Sequence, residues 1–375
     1  MKWKARLIRD LYSGLVFRYK VQNELALDPG IDIINTGGEI TMSKKNIKIR
    51  LIAIGLLIVF SAILISSCQS KEEKLRIGIL CGLSFFRDTA DGFKDKLTEL
   101  GYIEGKNVDY DFRNINSDIE AYRGALKEFA GNKYNLVFVF PTDAAVIAKN
   151  IISEYNIPIL FANANIEGLD LVESLREPGS NITGVRYPGP DLTLKRYELM
   201  RKIIPEAKRF WVPYWKESPI VPAQLDLLRP AAAADGIIIY EAPAEGAEDL
   251  AADLKDRSYE KGNMPDAVLL IAEALGVSPA SFAVFGKFAS EHNIPIGGAM
   301  TSFGEYTSIF GVSTDNIAVG RQAAEMANKI FKGSPAGSIP VISAENFLTI
   351  NYKEIQRLGL NISESLLSQA NKIIR

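Results

Sequence analysis

Two kinds of apolar pattern alternate along the chain from residue 75 onward. Continuous apolar runs such as LRIGILC and YNLVFVFP have the length and composition of buried strands. Between such runs, stretches such as residues 87–102 place apolar side chains at Phe93, Leu97 and Leu100, the spacing of one helical face. Strands that alternate with helices in this way are typical of a parallel sheet with helices on both faces.

The same alternation starts again near residue 189. We therefore predict an α/β fold of two doubly wound parallel-sheet lobes, the first over 75–188 and the second over 189–303. The remaining elements are too few for a third domain. We expect about 315–338 to complete the first lobe and part of about 340–375 to complete the second.

An uncharged apolar run precedes the first lobe. Lysines and an arginine between residues 44 and 50 lead into Leu51–Ile65, a run of fifteen residues without a charge. This run is too short for a membrane-spanning helix, which needs roughly 20 apolar residues, and it fits the core of a signal peptide. The sequence therefore predicts that the two lobes are exported.

The residues after this run resemble a bacterial lipobox, because Ser66 and Ser67 stand directly before Cys68. By that resemblance Cys68 carries a lipid and anchors the protein to the membrane. The alternative is an uncleaved N-terminal anchor with an incidental cysteine. The segments predicted here are a non-native or dispensable extension over 1–41, a lipoprotein signal peptide over 42–67 and a tether over 68–74.

Composition excludes several function classes. The chain has 375 residues, a net charge of −2, two cysteines and a single histidine, His292. A near-neutral charge argues against a nucleic-acid partner, and two cysteines cannot form a disulfide framework or a four-thiolate metal site. We interpret Cys81 as a small buried apolar residue. Since glycine-rich phosphate loops and the GxSxG nucleophile motif are missing from the sequence, we expect no cofactor, no metal and no catalytic residue.

Parallel sheets bind ligands beyond the carboxyl ends of their strands. Two such edges that face one another would form a cleft for a small molecule. The residues expected at this cleft follow the predicted strands: Ser84, Phe85 and Phe86; Thr142, Asp143 and Ala144; Asn163, Asn165 and Glu167; Tyr214 and Trp215; Glu273; and Thr301 and Ser302.

The polar residues of this set predict two kinds of contact. Thr142 and Asp143 lie where a strand becomes a helix, so the backbone N–H groups of residues 142–145 would suit a carboxylate. The alternative is an ordinary helix N-cap. An ammonium or other polar group would be bound by the polar residues after the fourth strand: Asn163, Asn165 and Glu167.

The aromatic residues predict a third kind of contact. Phe85 and Phe86 follow the first strand, and Tyr214 and Trp215 end a strand of the second lobe. Across a cleft, these rings would sandwich a flat ligand. The alternative is ordinary packing.

The chain resembles the ABC transporter substrate-binding lipoprotein family, which has the type I periplasmic-binding fold. The resemblance lies in four stretches that occur in the right order, GYIEGKNVDYDFRN, AAVIAKNIISEYNIPILFA, LVESLREPGSNITGV and GRQAAEMANKIFKGSP, and in the tail LGLNISESLL. It covers the chain from about residue 75 to the C-terminus. It implies two lobes, joined by three crossovers, that close on an amino acid or related small organic molecule and deliver it to the transmembrane subunits of an ABC permease.

The same resemblance concerns the carboxyl ends of the strands, where the ligand is expected to bind. The family's Gly-Thr-x-Ala-Ala stretch falls on Pro141–Ala145, which supports Thr142 and the nearby amides as carboxylate binders. This chain departs from the family pattern at two places. Pro141 replaces the usual glycine, and the Asp-Pro that commonly follows the fourth strand is absent from FANANIEG, which is one residue shorter.

The expected protein is thus a monomeric, lipid-anchored binding protein that faces the periplasm or the cell exterior. Two alternatives keep the fold: a ligand-sensing lipoprotein read by a membrane receptor, and an exported enzyme that uses Asp143 with Glu167 or Glu273. Turn-rich stretches predict the hinges at 187–191, 300–306 and 339–343.

Overall fold

The computed structural model describes residues 74–116, 118–260 and 262–375. The predicted extension, signal peptide and tether, with Cys68, lie outside the described residues, apart from Lys74 at the end of the tether. Within the described part of the chain, no helix combines the length and the apolar content that crossing a membrane requires.

The first lobe is built on a six-stranded sheet in which every pairing is parallel. Its strands lie in the order β13-β5-β4-β3-β1-β2. They are β1 (Leu75–Cys81), β2 (Val108–Asn114), β3 (Leu136–Phe140), β4 (Ile159–Ala164), β5 (Ile182–Arg186) and β13 (Ile342–Ser343). The helices of this lobe are α1 (Arg87–Glu99), α2 (Ile119–Gly131), α3 (Thr142–Ile152) and α8 (Asn316–Phe331).

The second lobe is built on a seven-stranded sheet in the order β15-β14-β12-β9-β8-β6-β7. Among the strands described, the pairing of β12 with β14 is antiparallel and the other pairings in this sheet are parallel. Its strands are β6 (Arg209–Trp215), β7 (Ile238–Ala244), β8 (Ala267–Leu270), β9 (Ile296–Gly298), β12 (Phe310–Thr314), β14 (Asn346–Asn351) and β15 (Lys372–Ile374). A hairpin of β10 (Ser302–Phe303) and β11 (Tyr306–Thr307) precedes β12. The helices are α4 (Gly189–Ile203), α5 (Val221–Ala234), α6 (Ala247–Tyr259), α7 (Pro279–His292), α9 (Tyr352–Arg357) and α10 (Glu364–Leu367).

Helices cover both faces of each sheet. Alternate residues of a strand point to opposite faces, so neighbouring strand residues pack against different helices. In β3, Phe138 packs in the core shared with α1 and α8, whereas Val137 and Val139 pack in the core shared with α2 and α3. In β6, Phe210 faces α4 and α5, whereas Trp211 faces α6 and α7. The predicted fold of two doubly wound lobes is therefore confirmed.

The chain passes between the lobes three times. The first crossover follows β5 and leads into α4, within the predicted hinge 187–191. The second lies at Asp315, between β12 and α8, and the third follows β13 and leads into β14. The hinge predicted at 300–306 is wrong as a crossover, because this segment forms the β10–β11 hairpin and the chain then stays in the second sheet through β12.

Candidate functional site

The carboxyl ends of the two sheets face one another. Asn163 stands at the end of β4 in the first lobe, and its Oδ1 accepts a hydrogen bond of 3.1 Å from the hydroxyl of Thr314 at the end of β12 in the second lobe. The loops after β4 and β6 also approach, since a Cβ placed on Gly168 would lie 3.7 Å from the carbonyl oxygen of Pro219. The strand ends named by the sequence thus border one space between the lobes.

Helix α3 begins at this edge without a side-chain cap. Pro141 precedes the helix and its side chain accepts no hydrogen bond, and the first intrahelical bond runs from Ala145 N to Pro141 O at 3.1 Å. The N–H groups of residues 142–144 therefore have no acceptor among the described residues. Unpaired N–H groups and the helix dipole together favour an anion at this end of α3.

Thr142 lies at the same helix end and is 8% exposed. Its Oγ1 accepts a hydrogen bond of 3.1 Å from the backbone N–H of Asn165 and lies 3.4 Å from Asn165 Nδ2. Because Oγ1 accepts these contacts, its own hydrogen remains free to donate to a ligand. Ala144, in the same first turn, is fully buried in the core, so only its backbone can contact a ligand.

Asn165 itself is 6% exposed and carries an unpaired atom. Its side-chain Oδ1 is buried and has no hydrogen-bond partner. The atom lies against Gly189 at the start of α4, where an added Cβ would come within 2.2 Å of it. Glycine at 189 therefore lets the Asn165 carboxamide reach the first crossover.

Asn163, by contrast, is occupied by protein contacts. It is 2% exposed and has a left-handed φ of 49°. Its Nδ2 donates to Thr89 Oγ1 at 3.0 Å and to Asn316 Oδ1 at 3.2 Å, while its Oδ1 accepts from Thr314. These bonds tie β4 to α1 and to the second crossover rather than pointing a free amide at a ligand.

Glu167 is also engaged. Its carboxylate forms an ion pair with Arg186, the last residue of β5. The same guanidinium donates to Asp191 Oδ2 at 3.0 Å and to Ser343 Oγ at 2.8 Å. The structure thus places Glu167 in a network that joins the first and third crossovers.

Glu273 is buried in the loop after β8 and is 4% exposed. Its Oε2 accepts from Trp215 N at 3.1 Å and from Leu275 N at 3.0 Å, and its Oε1 accepts from Gly276 N. Burial raises the pKa of this carboxyl group, and the backbone hydrogen bonds oppose that rise. Glu273 therefore orders its loop and fixes the backbone of Trp215.

The structure separates the predicted aromatic pair of the second lobe. Tyr214 is buried and its hydroxyl donates to Glu241 Oε2 at 2.9 Å, whereas Trp215 is 37% exposed. Neighbouring residues of a strand point to opposite faces, so only one of the pair can leave the α4–α5 core. In the first lobe, Phe85 is 62% exposed, and Phe86 meets it edge to face at 5.1 Å while packing on the core.

The remaining predicted residues are exposed or half-buried. Ser84 is exposed, and its N–H and hydroxyl both donate to Asn116 Oδ1, at 2.9 and 2.8 Å. Thr301 is half-buried and its carbonyl accepts from Ser308 N at 2.8 Å, while Ser302 is exposed in β10. Asp143 is exposed, and its side chain makes no hydrogen bond or ion pair within the described ranges.

Sequence reasoning missed a buried arginine beneath the first two crossovers. Arg196 is fully buried, and its guanidinium donates to Val312 O at 3.0 and 2.8 Å and to the hydroxyl of Tyr187 at 2.5 Å. No carboxylate pairs with it in the part of the chain that the structure describes. The sequence does contain an indication that Arg196 is buried, because this residue lies on the helical face that Leu192 and Met200 predict to be apolar.

The comparison with known protein families agrees with this architecture. Residues 84–374 match the family described as ABC transporter substrate binding protein. The chain belongs to this family. Members of the family are extracytoplasmic proteins that bind small molecules and interact with ABC permeases, and they are solute-binding proteins rather than enzymes.

Individual relatives cover most of the chain. A curated tyrosine-binding protein of Clostridioides difficile is 27% identical over 294 residues, which span 78% of this chain and 82% of that protein. The solved ABC domain in complex with L-Trp from Streptococcus pneumonia has a TM-score of 0.70 at 24% identity and covers 80% of this chain and 100% of its own. The ligand-free, open structure of a substrate-binding protein with adhesive properties from Clostridium difficile has a TM-score of 0.66 at 24% identity, with coverages of 80% and 99%.

These findings confirm two predictions from the sequence. The family resemblance is correct, and the fold is that of the type I periplasmic-binding proteins. The protein is an ABC transporter substrate-binding protein, a function that the sequence predicted ahead of receptor sensing.

Proposed function

We propose that this protein captures an α-amino acid between its lobes, with an aromatic side chain preferred, and delivers it to an ABC permease. The observation that carries the proposal is the uncapped start of α3, where three N–H groups and the Thr142 hydroxyl converge on the cleft. This arrangement suits the carboxylate of a ligand. The tyrosine-binding relative from C. difficile supports the same class of ligand.

The exposed aromatic rings support an aromatic ligand. Phe85 in the first lobe and Trp215 in the second are both exposed at carboxyl ends of the sheets, where a flat side chain would be held between them. Contact with both lobes would favour the closed arrangement, and the permease would distinguish that arrangement from the open one.

A thermal-shift series tests this proposal. The purified protein is unfolded and refolded to release bound ligand and then mixed with amino acids, sugars and nucleosides. At 100 times its dissociation constant, a binder adds about 2.7 kcal/mol of stability. We expect L-tyrosine or L-tryptophan to raise the midpoint, and Thr142→Val to weaken that rise. A midpoint raised by a sugar or a nucleoside but by no amino acid would refute the proposed ligand class.

We further propose that the protein acts as a monomer held at the membrane by a lipid on Cys68. The support is the lipobox-like sequence before Cys68, together with the fact that one chain supplies both lobes of the cleft. Fractionation of cells that express Cys68→Ala tests the anchor. The variant should leave the membrane fraction, and its retention there would contradict a lipid anchor.

A further inference from the structure

Three acidic residues were predicted at the cleft, Asp143, Glu167 and Glu273, and their carboxylates differ in whether they bond to other protein groups. The carboxylate of Glu167 is paired with Arg186. Glu273 is buried and accepts three backbone hydrogen bonds. Both carboxylates therefore already have protein partners: a guanidinium for Glu167 and backbone N–H groups for Glu273. Only Asp143, of these three, has no hydrogen-bond or ion-pair partner among the described residues.

The position of Asp143 is central. It is the second residue of α3, which directly follows β3, and β3 lies inside the first sheet between β4 and β1. The carboxyl end of an inner strand faces the other lobe near the middle of the edge. The side chain is exposed, yet desolvation raises the pKa of its carboxyl group, as expected for a charge that protein partly surrounds.

Groups that favour opposite ligand charges lie side by side at Asp143. The N–H groups of residues 142–144 favour an anion, while the Asp143 carboxylate favours a cation directly beside them. Asn165 lies against Thr142 through its backbone N–H and Nδ2, and its buried Oδ1, beside Gly189, is an acceptor without a partner. A plain carboxylate would be repelled by Asp143, whereas a zwitterion satisfies both charges at once.

We propose that Asp143 binds the α-ammonium group of the ligand and thereby makes the cleft select amino acids over the matching carboxylic acids. This inference rests on the proposed function, since it takes the ligand to be an amino acid. The sequence predicted the ammonium contact at Asn163, Asn165 and Glu167, of which Asn163 and Glu167 are occupied by protein groups. The ammonium is instead assigned to the charged residue next to the carboxylate site. Asp143 is then a residue that determines specificity.

Titration calorimetry with a matched ligand pair tests the inference. The probes are L-tyrosine and 3-(4-hydroxyphenyl)propionate, which differ only in the ammonium group. Wild type should bind L-tyrosine more tightly. Asp143→Asn should weaken L-tyrosine binding by about 10- to 100-fold, the loss of one charge-assisted hydrogen bond, and leave binding of the propionate unchanged or improved. Asp143→Glu should retain a preference for the amino acid.

Asp88→Asn serves as the control. Asp88 is an exposed acid in the first turn of α1, after the carboxyl end of β1, so this variant removes the same charge elsewhere on the same edge. It should keep the wild-type preference. If Asp143→Asn keeps that preference too, or weakens both ligands equally, the inference is overturned while the amino-acid function stands. If wild type binds no amino acid, the proposed function fails and the inference fails with it.

Discussion

The hydroxyl of Thr314 donates to Asn163 Oδ1 at 3.1 Å, and this contact joins the last residue of β12 to the end of β4. The two residues are 151 positions apart in the chain and belong to sheets in different lobes. The amide of Asn163 also bonds Asn316, the first residue of α8. One buried side chain thus holds both ends of the second crossover.

Replacing Asn163 should therefore destabilise the protein. Asn163→Ala removes its side-chain bonds and leaves the buried hydroxyl of Thr89 without a partner, so we expect a loss of about 1–3 kcal/mol in the free energy of unfolding. Urea denaturation measures the change. Asn163→Gly is the matched variant, because glycine accepts the left-handed φ of 49° without strain. If both variants unfold like wild type, the hydrogen bonds do not stabilise the crossover.

Gly189 should not tolerate a side chain. A Cβ there would lie 2.2 Å from Asn165 Oδ1, so Gly189→Ala must displace the carboxamide that lies against Thr142. We expect a loss of about 1–3 kcal/mol in stability and weaker ligand binding. The loss should be smaller when Asn165 is also alanine, because the clash is then absent. Gly246→Ala, where the added Cβ meets nothing within 4 Å, should leave binding unchanged; equal effects at both glycines would refute the clash.

The exposed Trp215 should contribute to ligand binding, and the buried Tyr214 should contribute to the stability of the fold. Trp215→Ala should weaken binding of an aromatic amino acid by about 10-fold, since a ring against an aromatic ligand contributes on the order of 1 kcal/mol beyond its buried area. Tyr214→Phe should leave binding unchanged and lower stability by about 1 kcal/mol, because it removes the bond to Glu241. Calorimetry and urea denaturation separate the two effects, and the reverse assignment would contradict the structure.

Glu273 predicts a pH dependence of stability. Its folded-state pKa is raised above the ordinary value of 4.5, so the folded protein holds this proton more tightly than the unfolded chain does. Its contribution is therefore most favourable at low pH and is lost as the pH rises from about 4.5 through the raised pKa. Wild type should lose stability relative to Glu273→Gln over that interval.

Urea midpoints between pH 4 and 8 measure this difference. Glu248→Gln, at an exposed acid in the first turn of α6, is the control. A wild-type midpoint that rises relative to that of Glu273→Gln as the pH increases would show that the backbone hydrogen bonds outweigh burial.

The fold could be predicted because its signals are local. A run such as LVFVF is buried at every position, and the alternation of such runs with amphipathic helices determines the architecture. The second crossover was misplaced for a tertiary reason: β12 pairs with β9 and β14, and nothing in the turn-rich segment before it reveals those partners.

The site was harder to predict because it depends on distant partners. The sequence named the strand ends correctly, but it could not show that Glu167 pairs with Arg186, 19 residues away, or that Asn163 bonds across the lobes. The choice between Tyr214 and Trp215 depends on which face of β6 packs on α5. These contacts exist only once both sheets have formed.

Native mass spectrometry of the protein purified from its host shows which ligand it carries. We expect a bound species with the mass of an aromatic amino acid, lost after mild unfolding and restored when that amino acid is added to the refolded protein. A bound sugar or nucleoside, restored by its own addition and not displaced by L-tyrosine or L-tryptophan, would refute capture of an amino acid between the lobes.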